Sequence, residues 1–290
     1  MAEIKLRLGC PIWACPEWRG SLFAPKTPPK AFLSQYAEVF DCVEGNSTFY
    51  ALPSADTVER WREQTPPTFR FCFKFPKTIT HERRLVAAER ETATFLQRMA
   101  PLCERLGPFL IQLPPTFGPQ SLIDLDAYLR ALPHEYTYAV EVRHPDLFAE
   151  GEPALTRILD AHGAARGLMD TRAVHAARTL DPTTLRAQGR KPKVPWCRTV
   201  NGRQPFVRIV GQNDVQSTTG YLDQWAKIAA DWLRRGWSPY VFLHAPDDYY
   251  APRLARAFHY LVRKRQQELP AHPPWPGERP RAASGQLGLL

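Results

Sequence analysis

Polar and charged side chains recur in this sequence at the ends of apolar, strand-like runs, and their types are those of acid–base and anion-binding chemistry. CVEGNSTFYALP (42–53) begins as a buried strand and then places Glu44 and Asn46 where that strand should end. The pattern repeats along the chain. Lys74 follows FRFCF, Gln112 closes FLIQ, and Glu141, Arg143 and His144 come in succession in AVEVRH. Asp170 closes RGLMD, Arg208 sits within FVRIV, and His244 closes YVFLH. A charge in such a place costs free energy to bury and is retained only if it is paired or used. Glu44, Lys74, Glu141 and Asp170 are therefore the candidates for proton transfer. Arg143 and Arg208, with Lys74, would clamp an anion such as a phosphate or carboxylate. Trp13, Asn46, Tyr50, His81, Gln112, His144 and His244 complete the expected substrate-binding set. Lys74 as a Schiff-base nucleophile is a further option.

Two other readings fit the same residues. One is structural: Glu44 paired with Lys74, and Glu141 with Arg143 or Arg208, as ion pairs that hold the strand ends together. The other is a divalent metal on Glu44, Glu141, Asp170 and His244, with His144 as a further ligand. Three cations expected at the same place, and the lack of any H-E-x-x-H spacing, weigh against the metal. The sequence signals no other cofactor.

These side chains converge only if the strands lie side by side. Strand-like runs occur at 4–10, from Cys42 on, and at 69–75, 108–113, 136–143, 166–170, 205–211 and 239–245. Helical spacing appears at 29–40, 54–61, 86–105, 121–132, 154–162, 221–235 and 252–266, with Ser54 as an N-cap. Repeated β–α units predict an α/β protein with a parallel sheet, and eight of them predict a closed (β/α)8 TIM barrel as one domain over 4–266. A doubly wound sheet is the competing architecture, but no G-x-G-x-x-G turn follows the first strand. In a barrel the active site lies at the carboxyl ends of the strands. The two-residue period sets Lys74 with Cys72 opposite Phe69, Phe71, Phe73 and Phe75. It also sets Glu44 with Cys42, and Glu141 with Ala139 and Arg143, so these charges should point inward.

The chain has 290 residues, 44% hydrophobic and 23% charged, as in ordinary globular proteins. It contains no run of about 18 apolar residues, so no transmembrane helix and no membrane partner is expected. MAEIKLRLGC lacks a signal-peptide core, and a cytoplasmic location is expected. Cys10, Cys15, Cys42, Cys72, Cys103 and Cys197 include no C-x-x-C pair and read as reduced thiols. Most of the net charge of +9 falls in 171–204, where Arg172, Arg178, Arg186, Arg190, Lys191, Lys193, Arg198 and Arg203 oppose only Asp181. A long basic loop there, with a helical turn near 182–188, would suit a phosphate-rich partner such as nucleic acid. Prolines crowd 267–290, which reads as a disordered tail ending in QLGLL.

VEGNSTFYALPS (43–54), WACPEWRGSLF (13–23), FRFCFKFPKTITH (69–81), LGPFLIQLPPTF (106–117), AVEVRHPDLF (139–148) and YVFLHAPDDYYAP (240–252) resemble the YecE-like family, domain of unknown function 72. The resemblance implies a TIM barrel and no established reaction. It places the family's polar motif positions at Glu44, Asn46, Ser47, Lys74, His81, Gln112, Glu141, Arg143, His144, Asp170 and Arg208. Gly45 stands where the family usually has a larger apolar residue, and HAPDD (244–248) replaces an asparagine-rich sequence. QLGLL is similar to the bacterial sliding-clamp-binding pentapeptide, through Gln286, Leu287, Leu289 and, in place of the usual Phe, Leu290.

The function expected from these residues is general acid–base catalysis on a small anionic compound, phosphorylated, sugar-like or a nucleotide. A hydrolase, lyase or isomerase would fit equally. The alternatives are a nuclease- or repair-type factor tethered to the sliding clamp, and a non-catalytic ligand sensor.

Overall fold

The computed structural model describes residues 5–279. Eight strands alternate with helices in the expected order: β1 (Arg7–Gly9), α1 (Phe32–Ala37), β2 (Cys42–Gly45), α2 (Ala55–Glu63), β3 (Arg70–Phe73), α3 (Glu89–Met99), β4 (Phe109–Gln112), α4 (Leu122–Ala131), β5 (Tyr138–Glu141), α5 (Glu152–Ala161) and β6 (Ala165–Asp170). Then come α6 (Arg172–Ala176), α7 (Pro182–Arg190), β7 (Phe206–Val210), α8 (Val215–Arg234), β8 (Tyr240–His244) and α9 (Ala251–Arg263). Local chemistry accounts for the boundaries. Ser54 accepts the Thr57 N–H at 3.2 Å and starts α2, as its position before the apolar spacing predicts. Asp181 and Asp214 cap α7 and α8 in the same way.

Every strand pairing is parallel, but the closed barrel expected from the count of eight is not what forms. The strands make a six-stranded sheet, β1-β8-β7-β6-β5-β4, and a separate two-stranded sheet, β2-β3. Isolated bridges, Lys74 with Leu110 and Phe71 with Leu106, join the two sheets on one side. On the other, the Glu44 N–H donates to the Cys10 carbonyl at 3.1 Å. The chain explains the interruption. β1 spans only three residues and runs into Pro11, β3 is followed by Pro76, and β4 is preceded by Pro108. Proline brings no ladder donor, and these prolines fall along the two seams.

The predicted alternation of side chains holds. Phe69, Phe71, Phe73 and Phe75 are buried toward the helices. Phe71 and Phe73 stack at 5.3 Å, and Trp61 of α2 lies over Phe73 at the same spacing. Burying each such ring contributes about 1.5–3 kcal/mol. The opposite faces of the strands bring Cys42, Cys72, Leu110, Ala139, Phe206, Tyr240 and Phe242 into one inner cluster. That cluster is the apolar floor beneath the strand-end polar groups.

Two segments differ from expectation. The basic stretch 171–204 is less of a loop than expected: the helical turn expected near 182–188 is the helix α7, and α6, which was not expected, precedes it. Asp181 accepts from both Thr183 and Thr184 and so caps the start of α7. The proline-rich stretch also does not leave the domain at residue 267. Trp275 is 2% exposed, the Arg256 guanidinium lies over its ring at 3.8 Å, and the Gly277 N–H donates to the Ser21 carbonyl at 3.0 Å. One large aromatic side chain, buried in full, offsets the lack of regular structure through Arg279. QLGLL, with Gln286, Leu287, Leu289 and Leu290, lies outside the described residues. Among those described, no helix is long and apolar enough to cross a membrane.

Candidate functional site

A cavity of about 1010 Å³ opens at the carboxyl ends of the strands. Of the expected site residues, Asn46, Tyr50, Lys74, His81, Gln112, Arg143, Arg208 and His244 line it. Glu44 and Glu141 lie directly beneath and are fully buried. A second cleft, of about 330 Å³ between α3 and α4, is mostly apolar and collects no comparable group of side chains.

Arg208, in the middle of β7, organises the floor. Its Nε and one terminal nitrogen donate to the two Glu44 oxygens at 2.9 and 2.8 Å, and the other terminal nitrogen donates to Glu141 at 2.6 Å. Arg143 donates to the second Glu141 oxygen at 3.0 Å. His244 meets Glu44 at 3.0 Å. Burial alone would raise both carboxyls, but the guanidiniums outweigh it. Glu44 is held well below the usual carboxylate range by Arg208 and His244, and Glu141 is brought down to about 2 by Arg208 and Arg143. Burial brings His244 down to about 4 despite Glu44, so at neutral pH its Nε2–H donates to that carboxylate. The partner expected for Glu44 was Lys74; the tertiary structure gives it Arg208 instead.

The two guanidiniums and two carboxylates balance in charge, and Lys74 is left over. Its ammonium donates to Gln112 Oε1 at 2.8 Å and sits over the Phe49 ring at 3.6 Å. Arg143 donates to the same Gln112 oxygen at 2.6 Å. No carboxylate among the described residues lies within 4.0 Å of the Lys74 nitrogen. Burial, with Arg208 and Arg143 nearby, lowers Lys74 to about 7. His81, on the π-helical turn Thr78–Glu82, is brought down to about 4 by burial and by Lys74. It is therefore neutral, with Nδ1 2.9 Å from the Thr80 hydroxyl.

Three residues of this cavity escape a strand-end reading. Phe49 lies in the turn after β2 and is held between the Lys74 ammonium and the His81 ring, 5.0 Å away. Lys191 comes from the end of α7, and desolvation lowers it to about 8. Asp248 lies four residues past β8, and burial raises it to about 6 against the pull of Lys191. Extending the strand-end search a few residues into each loop would have found Asp248; nothing local points to Lys191.

Other expected members lie elsewhere. Asp170 is the last residue of β6 and turns away from the cavity. It accepts from Arg172 at 2.8–3.2 Å and from the Trp225 indole at 2.7 Å, because the inward position of that strand belongs to Met169, whose sulfur is 4.0 Å from Arg208. His144 accepts the Asp146 N–H at 3.3 Å and so closes the turn Pro145–Phe148. Trp13 packs edge-on against Trp61 at 5.3 Å, away from the cavity. Asn46 does line the cavity, but its amide donates to the Pro11 carbonyl at 3.2 Å and so also orients the loop after β1. The metal set Glu44, Glu141, Asp170 and His244 does not converge, since Arg208 lies between the two glutamates and Asp170 faces α8. Among the described residues no group of three or more His, Cys, Asp or Glu is placed to hold a metal ion.

A family model described as "Protein of unknown function DUF72" matches residues 7–280. The UPF0759 protein YecE of Escherichia coli K12 is 42% identical over 272 residues, which cover 93% of this chain and 97% of that protein. A crystal structure of a DUF72 family protein from Enterococcus faecalis V583 superposes with a TM-score of 0.65 at 18% identity, covering 89% of this chain and 95% of the other. Another from Thermotoga maritima MSB8 gives a TM-score of 0.64 at 22% identity, covering 91% of this chain and 100% of the other.

Proposed function

Because this chain belongs to the DUF72 family, whose description leaves the reaction open, we propose its function from the cavity: it is an enzyme that binds a small anionic compound and transfers a proton at Lys74. The observation that carries this reading is Lys74 itself. Its nitrogen is buried, held by Gln112 and Phe49, and has no carboxylate partner within ion-pair distance among the described residues. At about 7, its ordinary charge is half removed at neutral pH, which suits a proton carrier.

The roles then separate. Neutral Lys74 takes a proton from the substrate and, as the ammonium, returns it to the same or a neighbouring atom. Arg143 and Lys191, cationic and facing the same space, attract the anion. Glu44 and Glu141 are poor proton donors at neutral pH because Arg208 keeps them ionised; they act as positioning residues that fix Arg208 and Arg143. Gln112 fixes Lys74 and Arg143 relative to one another, because one oxygen accepts from both.

The test is turnover of a panel of phosphorylated and carboxylated metabolites by the native chain and by Lys74→Met, both checked for folding. Loss of turnover in the variant is expected. A Lys74→Met protein with native turnover removes Lys74 from the mechanism. A compound whose binding depends on Lys74 but which is never converted assigns the cavity to ligand sensing instead.

A further inference from the structure

The entrance to the cavity has two walls of different chemistry. One follows β2. The turn Asn46–Phe49 brings Phe49 over the floor, and Tyr50 stands edge-on to it at 5.1 Å. Tyr50 is 81% exposed, so a tyrosine ring at the lip of a polar cavity is left open to solvent. Such a ring offers a stacking surface for a planar group. The other wall is α7. It presents Arg186 and Arg190, four positions apart and so on one helix face, followed by Lys191. None of the three makes an ion pair among the described residues. Arg172 of the same basic segment, by contrast, is tied to Asp170 and to the Trp196 ring. Both walls line the same cavity, whose floor is the Arg208–Glu44 pair.

Resting on the reading of this cavity as an anion site, we infer that its ligand is a nucleoside phosphate, with the base on Tyr50, the phosphate against Arg186, Arg190 and Lys191, and the sugar above Lys74. A cavity of about 1010 Å³ lies at the upper end of small-ligand sites and has room for both ends at once. A sugar phosphate alone would leave the tyrosine lip without a role. A free nucleotide and a nucleotide ending a single strand share this chemistry.

The experiment is calorimetric titration of the full chain with ribose 5-phosphate, adenosine, adenosine monophosphate and a single-stranded hexanucleotide with a terminal phosphate. Adenosine monophosphate should bind about tenfold more tightly than ribose 5-phosphate, the increment expected for one stacked base. Tyr50→Ala should remove that increment and leave ribose 5-phosphate binding unchanged. The double variant Arg190→Ala, Lys191→Ala should weaken every phosphorylated ligand and flatten the dependence of affinity on salt. Tighter binding of the hexanucleotide than of the mononucleotide assigns a strand end; weaker binding assigns the free nucleotide. Equal affinity for ribose 5-phosphate and adenosine monophosphate overturns the inference, as does an increment that survives Tyr50→Ala. If ribose 5-phosphate then still binds in a Lys74-dependent way, the anion site stands without the nucleotide. If no phosphorylated compound binds, both fall. Tyr50 is exposed, so an unchanged melting temperature in Tyr50→Ala separates loss of stacking from loss of fold.

Discussion

Arg208 and Glu44 lie 164 positions apart in the chain and meet through two N–H···O bonds, of 2.9 and 2.8 Å, that join the six-stranded sheet to the two-stranded one. The polar floor of the cavity is thus also the fastening between two sheets whose backbones bond at only a few points. Function and stability share these side chains, and experiments have to separate them.

Glu44→Gln keeps the shape but removes a charge from a buried pair. Removing one partner leaves the other charge uncompensated, at a cost of about 3–5 kcal/mol, readable in urea unfolding at pH 7. The pH dependence has a definite sign. Glu141 and Glu44 are depressed from an ordinary value of 4.5, Glu141 to about 2. The unfolded chain therefore binds the extra protons between these values, and the stabilisation is complete above 4.5 and lost as pH falls toward 2. Glu44→Gln should show a shallower fall over that window. A variant as stable as the native chain at pH 7 would mean that Arg208 and Glu44 are not paired in solution.

Lys74 gives the same sign at higher pH, but as a cost removed and not a stabilisation gained. Its value drops from 10.5 to about 7, so between those values the unfolded chain binds more protons than the folded one. Stability should rise with pH across that window, and below pH 7 the cost of the buried ammonium is fully present. Lys74→Met should therefore be more stable than the native chain at pH 6, by a margin that narrows toward pH 10. A margin independent of pH removes Lys74 as a titrating group. Turnover by the native protein should climb as pH passes through about 7, where the free amine appears.

Asp170→Asn is the contrasting case. Asp170 holds the start of α6 through the Arg172 N–H at 2.9 Å and ties it to α8 through Trp225. Its loss should cost about 1–3 kcal/mol in thermal or urea unfolding, with ligand affinity at the cavity unchanged. A large affinity loss with native stability would return Asp170 to the site.

Gly45 leaves room for an aromatic neighbour. A Cβ there would lie 2.3 Å from the Phe73 ring, which is fully buried and packs against both Phe71 and Trp61. Gly45→Ala should destabilise by about 1–3 kcal/mol, and Phe73→Leu in the same chain should restore part of it. Additive losses in the double variant would show that the two residues do not compete for the space.

Much of this was legible in the sequence. The inward face of Glu44, Lys74 and Glu141 and the outward row of phenylalanines follow from a period of two, the β–α alternation from its switching with helical spacing, and Gln112, Arg208 and His244 from their places near strand ends. Less legible were departures set by single residues. Asp170 ends its strand as Gln112 ends β4, but it sits one step off the inward parity that Met169 occupies. The prolines that open the seams were visible, yet their effect depends on which strands they come to face.

By itself the sequence determined the order of elements and which side chains turn inward, because alternation and capping are local properties of the backbone. Only the tertiary structure decided that Glu44 pairs with Arg208 and not Lys74, that α7 brings Lys191 to the cavity, and that the eight strands pair as two separate sheets. Those outcomes depend on distances between residues far apart in the chain. In a desolvated interior, one or two ångströms decide which charges are neutralised and which one, here Lys74, is left to titrate.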